Sequence, residues 1–217
     1  DPLEVLKITH RSPEFPSTEF THDDYPHWKP AAALDLDKHA YADKSVVLLV
    51  RDPRDVVVSY YFEYTKRGSA KRANDEGYNG TISEFLRHPI GGLANIVGFY
   101  NSWANSREVP DRFHLVRYED FVDQPSTAYQ NLIKFLRWPQ LGESALDAAV
   151  EFGQFDNLRE IEKSNTLGNF RLGSSDSGDP ESFKIRRGKI GGYRDYFDRK
   201  DIDFMDAYIA QELDDLY

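Results

Sequence analysis

Residues 46–61, VVLLVRDPRDVVVSYY, constrain this chain more than any other stretch. The unbroken apolar run Val46, Val47, Leu48, Leu49 and Val50 has the pattern of a strand covered on both faces, as in the parallel sheet of an α/β domain. Charge begins abruptly at Arg51, where such a strand ends. Asp52 is suited to cap a following helix through its carboxylate, and Pro53 fits the first helical position, where a missing N–H is no loss. The pattern predicts a helix over 53–66. Ligands of open α/β sheets bind beyond the carboxyl ends of the strands, and a helix N-terminus there offers N–H groups and partial positive charge to an anion. Arg51 adds a bidentate donor and Ser59, two turns along, a hydroxyl. The stretch therefore reads as half of a phosphate site. An ion-paired loop that merely caps a helix fits the same residues, and the motif alone does not choose between the two.

The chain has 217 residues, 40% of them hydrophobic and 14% aromatic, enough for a single domain over 1–217 with a sizeable core. Its formal charge of −10 argues against general binding of nucleic acid or anionic membranes, while leaving room for a local basic pocket. No apolar run reaches the length of a bilayer and no signal peptide is visible. The absence of cysteine excludes disulfides and thiolate metal sites and is compatible with a reducing compartment, so a cytoplasmic location is expected. The sequence begins at Asp1 and its one methionine is Met205, so an N-terminal part is expected to be missing.

Taken in order, residues 5–9 read as a buried strand followed by Thr9-His10-Arg11-Ser12-Pro13. A histidine beyond a strand end suits acid–base chemistry, while an isolated one is more often a surface loop histidine. Residues 14–44 are irregular, with a short helix expected over 31–39 and no metal site among His22, His27 and His39. A loop of that length suits an acceptor pocket. Asn79-Gly80-Thr81 reads as a turn, with Thr81 capping a helix over 82–87. Helices are expected over 90–105, 125–136, 143–152, 156–163 and 201–216, and a strand over 113–116. Tyr118, at that strand's end, is placed to stack on or hydrogen-bond a ligand, or belongs to an acidic helix-capping turn. Phe155, between two helices, is placed to cover a base. Residues 184–199, KIRRGKIGGYRDYFDR, are basic in an acidic chain. Their glycines allow close backbone approach, so an anion clamp of Arg186, Arg187 and the Gly188 N–H is one reading and a solvated basic loop the other.

These motifs, in this order, resemble the sulfotransferases that use 3′-phosphoadenosine 5′-phosphosulfate, most closely the cytosolic-type branch. Thr9-His10 with Pro13 resembles the family's Thr-His loop, whose histidine is the catalytic base. Arg51 to Ser59 resembles the 3′-phosphate motif, and Tyr118-Glu119-Asp120 the segment whose tyrosine contacts the nucleotide. Phe155 with Leu158 resembles the aromatic segment near the adenine. Arg186-Arg187-Gly188-Lys-Ile-Gly191 resembles the loop that closes over the 3′-phosphate. The resemblance implies an α/β fold, with a central parallel β-sheet flanked by helices, of the P-loop nucleoside triphosphate hydrolase-like sulfotransferase type.

It implies a transferase moving a sulfuryl group to an acceptor hydroxyl or amine, with His10 as general base and adenosine 3′,5′-bisphosphate as product. Arg51, Ser59, Tyr118, Phe155, Arg186, Arg187 and Gly188 would bind the donor, and no metal is required. The expected partner is a small-molecule, lipid or glycan acceptor, with no nucleic acid and no transmembrane segment. Several features depart from the pattern. The 5′-phosphosulfate loop of the Pro-Lys-Ser-Gly-Thr-Thr-Trp type is absent, Ile8 stands where a lysine is usual, and Gly192-Tyr193-Arg194 replaces Asp-Trp-Lys. The dimerisation motif that follows in the family is not recognisable. Two rivals remain: a non-catalytic nucleotide-binding or interaction module, and a P-loop kinase, which needs a Walker lysine and a Mg²⁺ ligand.

Overall fold

The computed structural model describes residues 17–67, 78–139, 142–165 and 178–217. Two parallel strands form its sheet, β1 (Ser45–Val50) and β2 (Arg112–Arg117), paired from Ser45 opposite Arg112 to Val50 opposite Arg117. The strand expected over 5–9 lies outside the described residues. Helix α1 (Pro53–Phe62) follows β1 and continues through a π-helical turn, Glu63–Arg67. Then come α2 (Ile82–Leu86), α3 (Leu93–Ala104), β2, α4 (Tyr118–Asp123), α5 (Pro125–Leu136), α6 (Glu143–Phe152), α7 (Phe155–Ser164) and α8 (Arg199–Glu212). None of the described helices is long and apolar enough to cross a membrane.

Local chemistry accounts for three of the helix starts. The Asp52 carboxylate accepts the Arg54 N–H at 2.9 Å ahead of Pro53, as the sequence predicts. Thr81 and Glu84 form a reciprocal capping box at the start of α2. Asp198 accepts the Asp201 N–H and begins α8 two residues earlier than expected. That helix stops at Glu212, whose carbonyl accepts from the Asn101 side chain, while the Asn101 oxygen takes the Asp214 N–H.

The helix expected over 31–39 is replaced by two 3₁₀ turns, Ala31–Ala33 and His39–Tyr41. The aspartates between and before them capture the backbone: Asp24 accepts the Asp35 N–H, Asp35 the Asp37 N–H and Asp37 the His39 N–H. Such side-chain acceptors compete with the helical ladder. Lys38, buried, is fastened by Asp23 at 2.7 Å and by the Asp35 carbonyl.

The core lies on one side of β1. Leu48 and Val50 pack with Val57, Val58 and Phe62 of α1, Phe85 and Leu86 of α2, Ile96, Val97, Tyr100 and Trp103 of α3, and Met205 of α8. On the opposite face α5 covers β2, with the Phe135 ring stacked 4.9 Å from His114. Among the described residues β1 is left uncovered on that face, and Leu49 is 61% exposed. The expectation that β1 is covered on both faces is corrected by this offset. Its five apolar residues contain the alternation of a half-covered strand, masked by an outward-facing leucine.

Candidate functional site

Arg51 stands one residue past β1, and its backbone is pinned on both sides by one hydroxyl. Tyr100 Oη accepts the Arg51 N–H at 3.0 Å and donates to the Arg51 carbonyl at 2.9 Å. Burial raises the Tyr100 pKa, which keeps that hydroxyl a donor. The next N–H, of Asp52, goes to Glu119 Oε1 at 3.0 Å, and that of Arg54 to Asp52. The N–H groups of Arg51, Asp52 and Arg54 therefore have internal acceptors. The expectation of a helix start offering open N–H groups to an anion is corrected at these three positions, because Tyr100, Asp52 and Glu119 saturate them.

What the site presents is the Arg51 guanidinium. Its Nη2 donates to the Lys189 carbonyl at 2.9 Å and to Asp55 Oδ2 at 3.2 Å. Its Cζ lies 4.3 Å from the centroid of the Tyr118 ring, so the tyrosine at the end of β2 forms a stacking floor. Arg51 Nε is buried with no hydrogen-bond partner among the described residues. A planar cation fixed on two sides and unsatisfied at Nε is arranged to take an oxyanion.

The basic loop arrives from the far end of the chain. Glu162 of α7 is buried and accepts the N–H groups of Lys184 and Ile185 at 2.6 and 2.7 Å, while Arg159 donates to the Ile185 carbonyl. Arg67, carried by the π turn after α1, donates to the carbonyls of Phe183 and Ser59 at 2.8 and 2.9 Å. Gly188 has φ of 60° and Gly191 φ of 69°, the left-handed conformation in which a side chain is strained. Gly188 lies against the Phe155 ring at the start of α7, and a Cβ there would meet Cδ2 at 2.5 Å.

The two arginines of the loop are engaged with protein carboxylates. Arg186 reaches Glu181 at 2.9 Å and the Tyr196 hydroxyl, with its Cζ 4.5 Å from the Phe62 ring centroid. Arg187 pairs with Asp195 at 3.0 Å and Glu181 at 3.3 Å. Lys189 sits on Asp195 at 2.8 Å, and this partner first, then Arg187, holds the Asp195 carboxyl below its ordinary range. Both readings of the sequence thus have a counterpart: the charged side chains are ion-paired, and the loop backbone meets one cation with an unsatisfied nitrogen.

Of the predicted site residues, the fold stacks Arg51 on Tyr118 and sets Phe155 against Gly188, while the loop group that reaches Arg51 is the carbonyl of Lys189, the residue after Gly188. Ser59 lies half-buried two turns along α1, joined to the loop's approach through Arg67. His10 lies outside the described residues. Sequence reasoning missed Asp55, Glu119, Glu181 and Tyr100. Asp55 had a readable signal, since it carries the charge opposite to Arg51 four residues on, across the start of α1.

Parallel strands with helices on both sides of β2, and a glycine loop folded back onto a strand end, define an α/β protein. The chain belongs to the sulfotransferase domain family, whose profile matches residues 36–217. It is 28% identical over 177 residues to Cytosolic sulfotransferase 10 of Arabidopsis thaliana, covering 77% of this chain and 49% of that protein. Against Sulfotransferase 2A1 of Mus musculus the identity is 25% over 167 residues, covering 77% and 55%. The chain spans about half the length of these curated relatives. Among solved structures, a retinol dehydratase in complex with androsterone and the inactive cofactor PAP superposes with a TM-score of 0.62 at 21% identity, covering 86% of this chain and 52% of that one. A mouse sulfotransferase, SULT7A1, complexed with PAP gives 0.58 at 17%, covering 78% and 58%.

Proposed function

We propose that this protein transfers a sulfuryl group from 3′-phosphoadenosine 5′-phosphosulfate to the hydroxyl or amine of a small-molecule acceptor, with residues 1–217 acting as one sulfotransferase-like domain. The carrying observation is the meeting of Arg51 with the loop that contains Arg186, Arg187 and Gly188, through the Lys189 carbonyl. Family membership and relatives solved with PAP, the product adenosine 3′,5′-bisphosphate, support the reading.

The residues present fit a phosphate. Arg51 Nε is a buried donor without a partner, and Arg186 and Arg187 already hold carboxylate oxygens. Arg51, Ser59, Arg186, Arg187 and the Gly188 N–H would bind the 3′-phosphate, which separates this donor from ATP. Each charge-assisted hydrogen bond contributes about 1.5–3 kcal/mol. Phe155 would cover the adenine and Tyr118 would keep Arg51 in plane. The donor supplies the sulfuryl group and leaves as adenosine 3′,5′-bisphosphate. His10 takes the acceptor's proton as the new oxygen–sulfur or nitrogen–sulfur bond forms. Residues 17–44, with Trp28 and Tyr25 partly exposed, would line the acceptor side.

Calorimetry with adenosine 3′,5′-bisphosphate and with Mg²⁺–ATP tests the donor. Tighter binding of ATP would defeat the assignment. In the full-length protein His10→Ala is expected to abolish turnover and spare bisphosphate binding, and retained turnover would remove His10 from the chemistry.

A further inference from the structure

We infer that Asp55 is the positioning residue of this site, holding Arg51 and the loop at 188–191 in one geometry before a donor binds. The inference rests on the donor reading above. An acid in the first turn of a helix needs only the helix dipole to explain it, and it is normally solvated. Asp55 is instead 3% exposed. Burial of a carboxylate is costly unless several donors satisfy it, and here the donors come from three places. Oδ2 accepts the Gly191 N–H at 2.9 Å and Arg51 Nη2 at 3.2 Å, and Oδ1 accepts the Tyr193 N–H at 2.9 Å.

Gly191 can turn its N–H inward because it sits at φ of 69°. Arg51 Nη2 carries two hydrogens, and Asp55 and the Lys189 carbonyl account for both. The loop is therefore fastened to Arg51 twice, once through a carboxylate and once through its own backbone. The guanidinium is held so that Nε is left without a partner. Arg186, Arg187 and Gly188 directly precede Lys189, so these two ties link the loop to Arg51 from one end, while Glu162 and Glu181 hold it from the other.

Charge and position pull in opposite directions at Asp55, and that makes the role testable. By Coulomb repulsion alone, removing a negative charge beside the phosphate site strengthens anion binding. Asparagine keeps one acceptor oxygen but turns an amide NH₂ toward the second backbone N–H, so one tie is lost. If position dominates, Asp55→Asn weakens binding of adenosine 3′,5′-bisphosphate by at least about tenfold while adenosine 5′-monophosphate, which has no 3′-phosphate, changes by less than about twofold. Gly191→Ala, which strains the other end of the same hydrogen bond, gives the same selective loss.

The experiment is calorimetry of both ligands on the full-length protein and the two variants, with hydrogen exchange at the Gly191 and Tyr193 amides. These amides are expected to be protected in the parent and to lose protection in Asp55→Asn. Equal or tighter bisphosphate binding, an equal loss for both nucleotides, or unchanged amide protection each overturns the positioning role. A parent protein that does not prefer the bisphosphate overturns the donor reading instead. A parent that prefers it, with the preference kept in Asp55→Asn, leaves the donor reading standing and removes Asp55.

Discussion

The Phe155 ring lies against Gly188 so closely that a Cβ on the glycine would sit 2.5 Å from Cδ2. Gly188 also has φ of 60°, where an added side chain costs about 1–2 kcal/mol. Gly188→Ala is therefore expected to lower thermal stability slightly and to push Phe155 from its position. The affinity for adenosine 3′,5′-bisphosphate should fall about tenfold or more. Titration calorimetry beside a thermal melt separates the two effects, and parent-like affinity would remove this contact from the site.

Glu181 occupies the arginines that the donor reading assigns to phosphate. It accepts from Arg186 at 2.9 Å, from Arg187 at 3.3 Å and from the Tyr196 hydroxyl at 3.0 Å. An arriving phosphate must compete with that carboxylate. Glu181→Gln keeps the shape and removes the charge, so bisphosphate binding is expected to tighten about threefold or more. Weaker binding would mean that Glu181 serves mainly to order the loop.

Tyr193 is buried between two guanidinium groups, Arg54 at 4.6 Å and Arg194 at 4.5 Å from its ring centroid. Its hydroxyl is buried without a hydrogen-bond partner among the described residues. Tyr193→Phe keeps the ring contacts and deletes an unsatisfied group, so stability should rise by about 1 kcal/mol. Denaturant unfolding measures it, and a clear loss of stability would show that the hydroxyl is satisfied.

Burial, with the neighbouring His22 adding to it, lowers the His27 pKa from 6.5 to about 4, while Glu63 opposes. The unfolded chain holds this proton more tightly, so unfolding takes up a proton between those two values. The His27 contribution to stability is complete above pH 6.5 and is lost as pH falls toward 4. Unfolding curves at several pH values in that window should show the decline. In His27→Phe the slope should be shallower, and an unchanged slope would place the sensitivity elsewhere.

Much of the site was legible because its pieces are short motifs. Arg51 after an apolar run, Asp52 before Pro53 and Tyr118 at the end of β2 all stand where the sequence places them. The helices Glu143–Phe152 and Pro125–Leu136 have the bounds their periodicity predicts. The segment 31–39 departs from its periodicity because Asp35 and Asp37 each take the N–H two residues on and Asp24 takes that of Asp35 from eleven residues away, which hydrophobic periodicity does not report. The open side of β1 was missed because an exposed leucine leaves the same mark in sequence as a buried one.

Interactions that span a few residues are written in the sequence: the Asp52 cap, the Thr81–Glu84 capping box and the four-residue spacing of Arg51 and Asp55. Side-chain identity and separation along the chain are enough to specify such contacts. Long-range packing sets the rest: the Lys189 carbonyl meets Arg51 across 138 positions, and Asp55 holds the N–H groups of Gly191 and Tyr193. Those partners are backbone groups, which almost every residue carries. No residue type can announce them, and only the packing of α1 against the loop selects which ones are used.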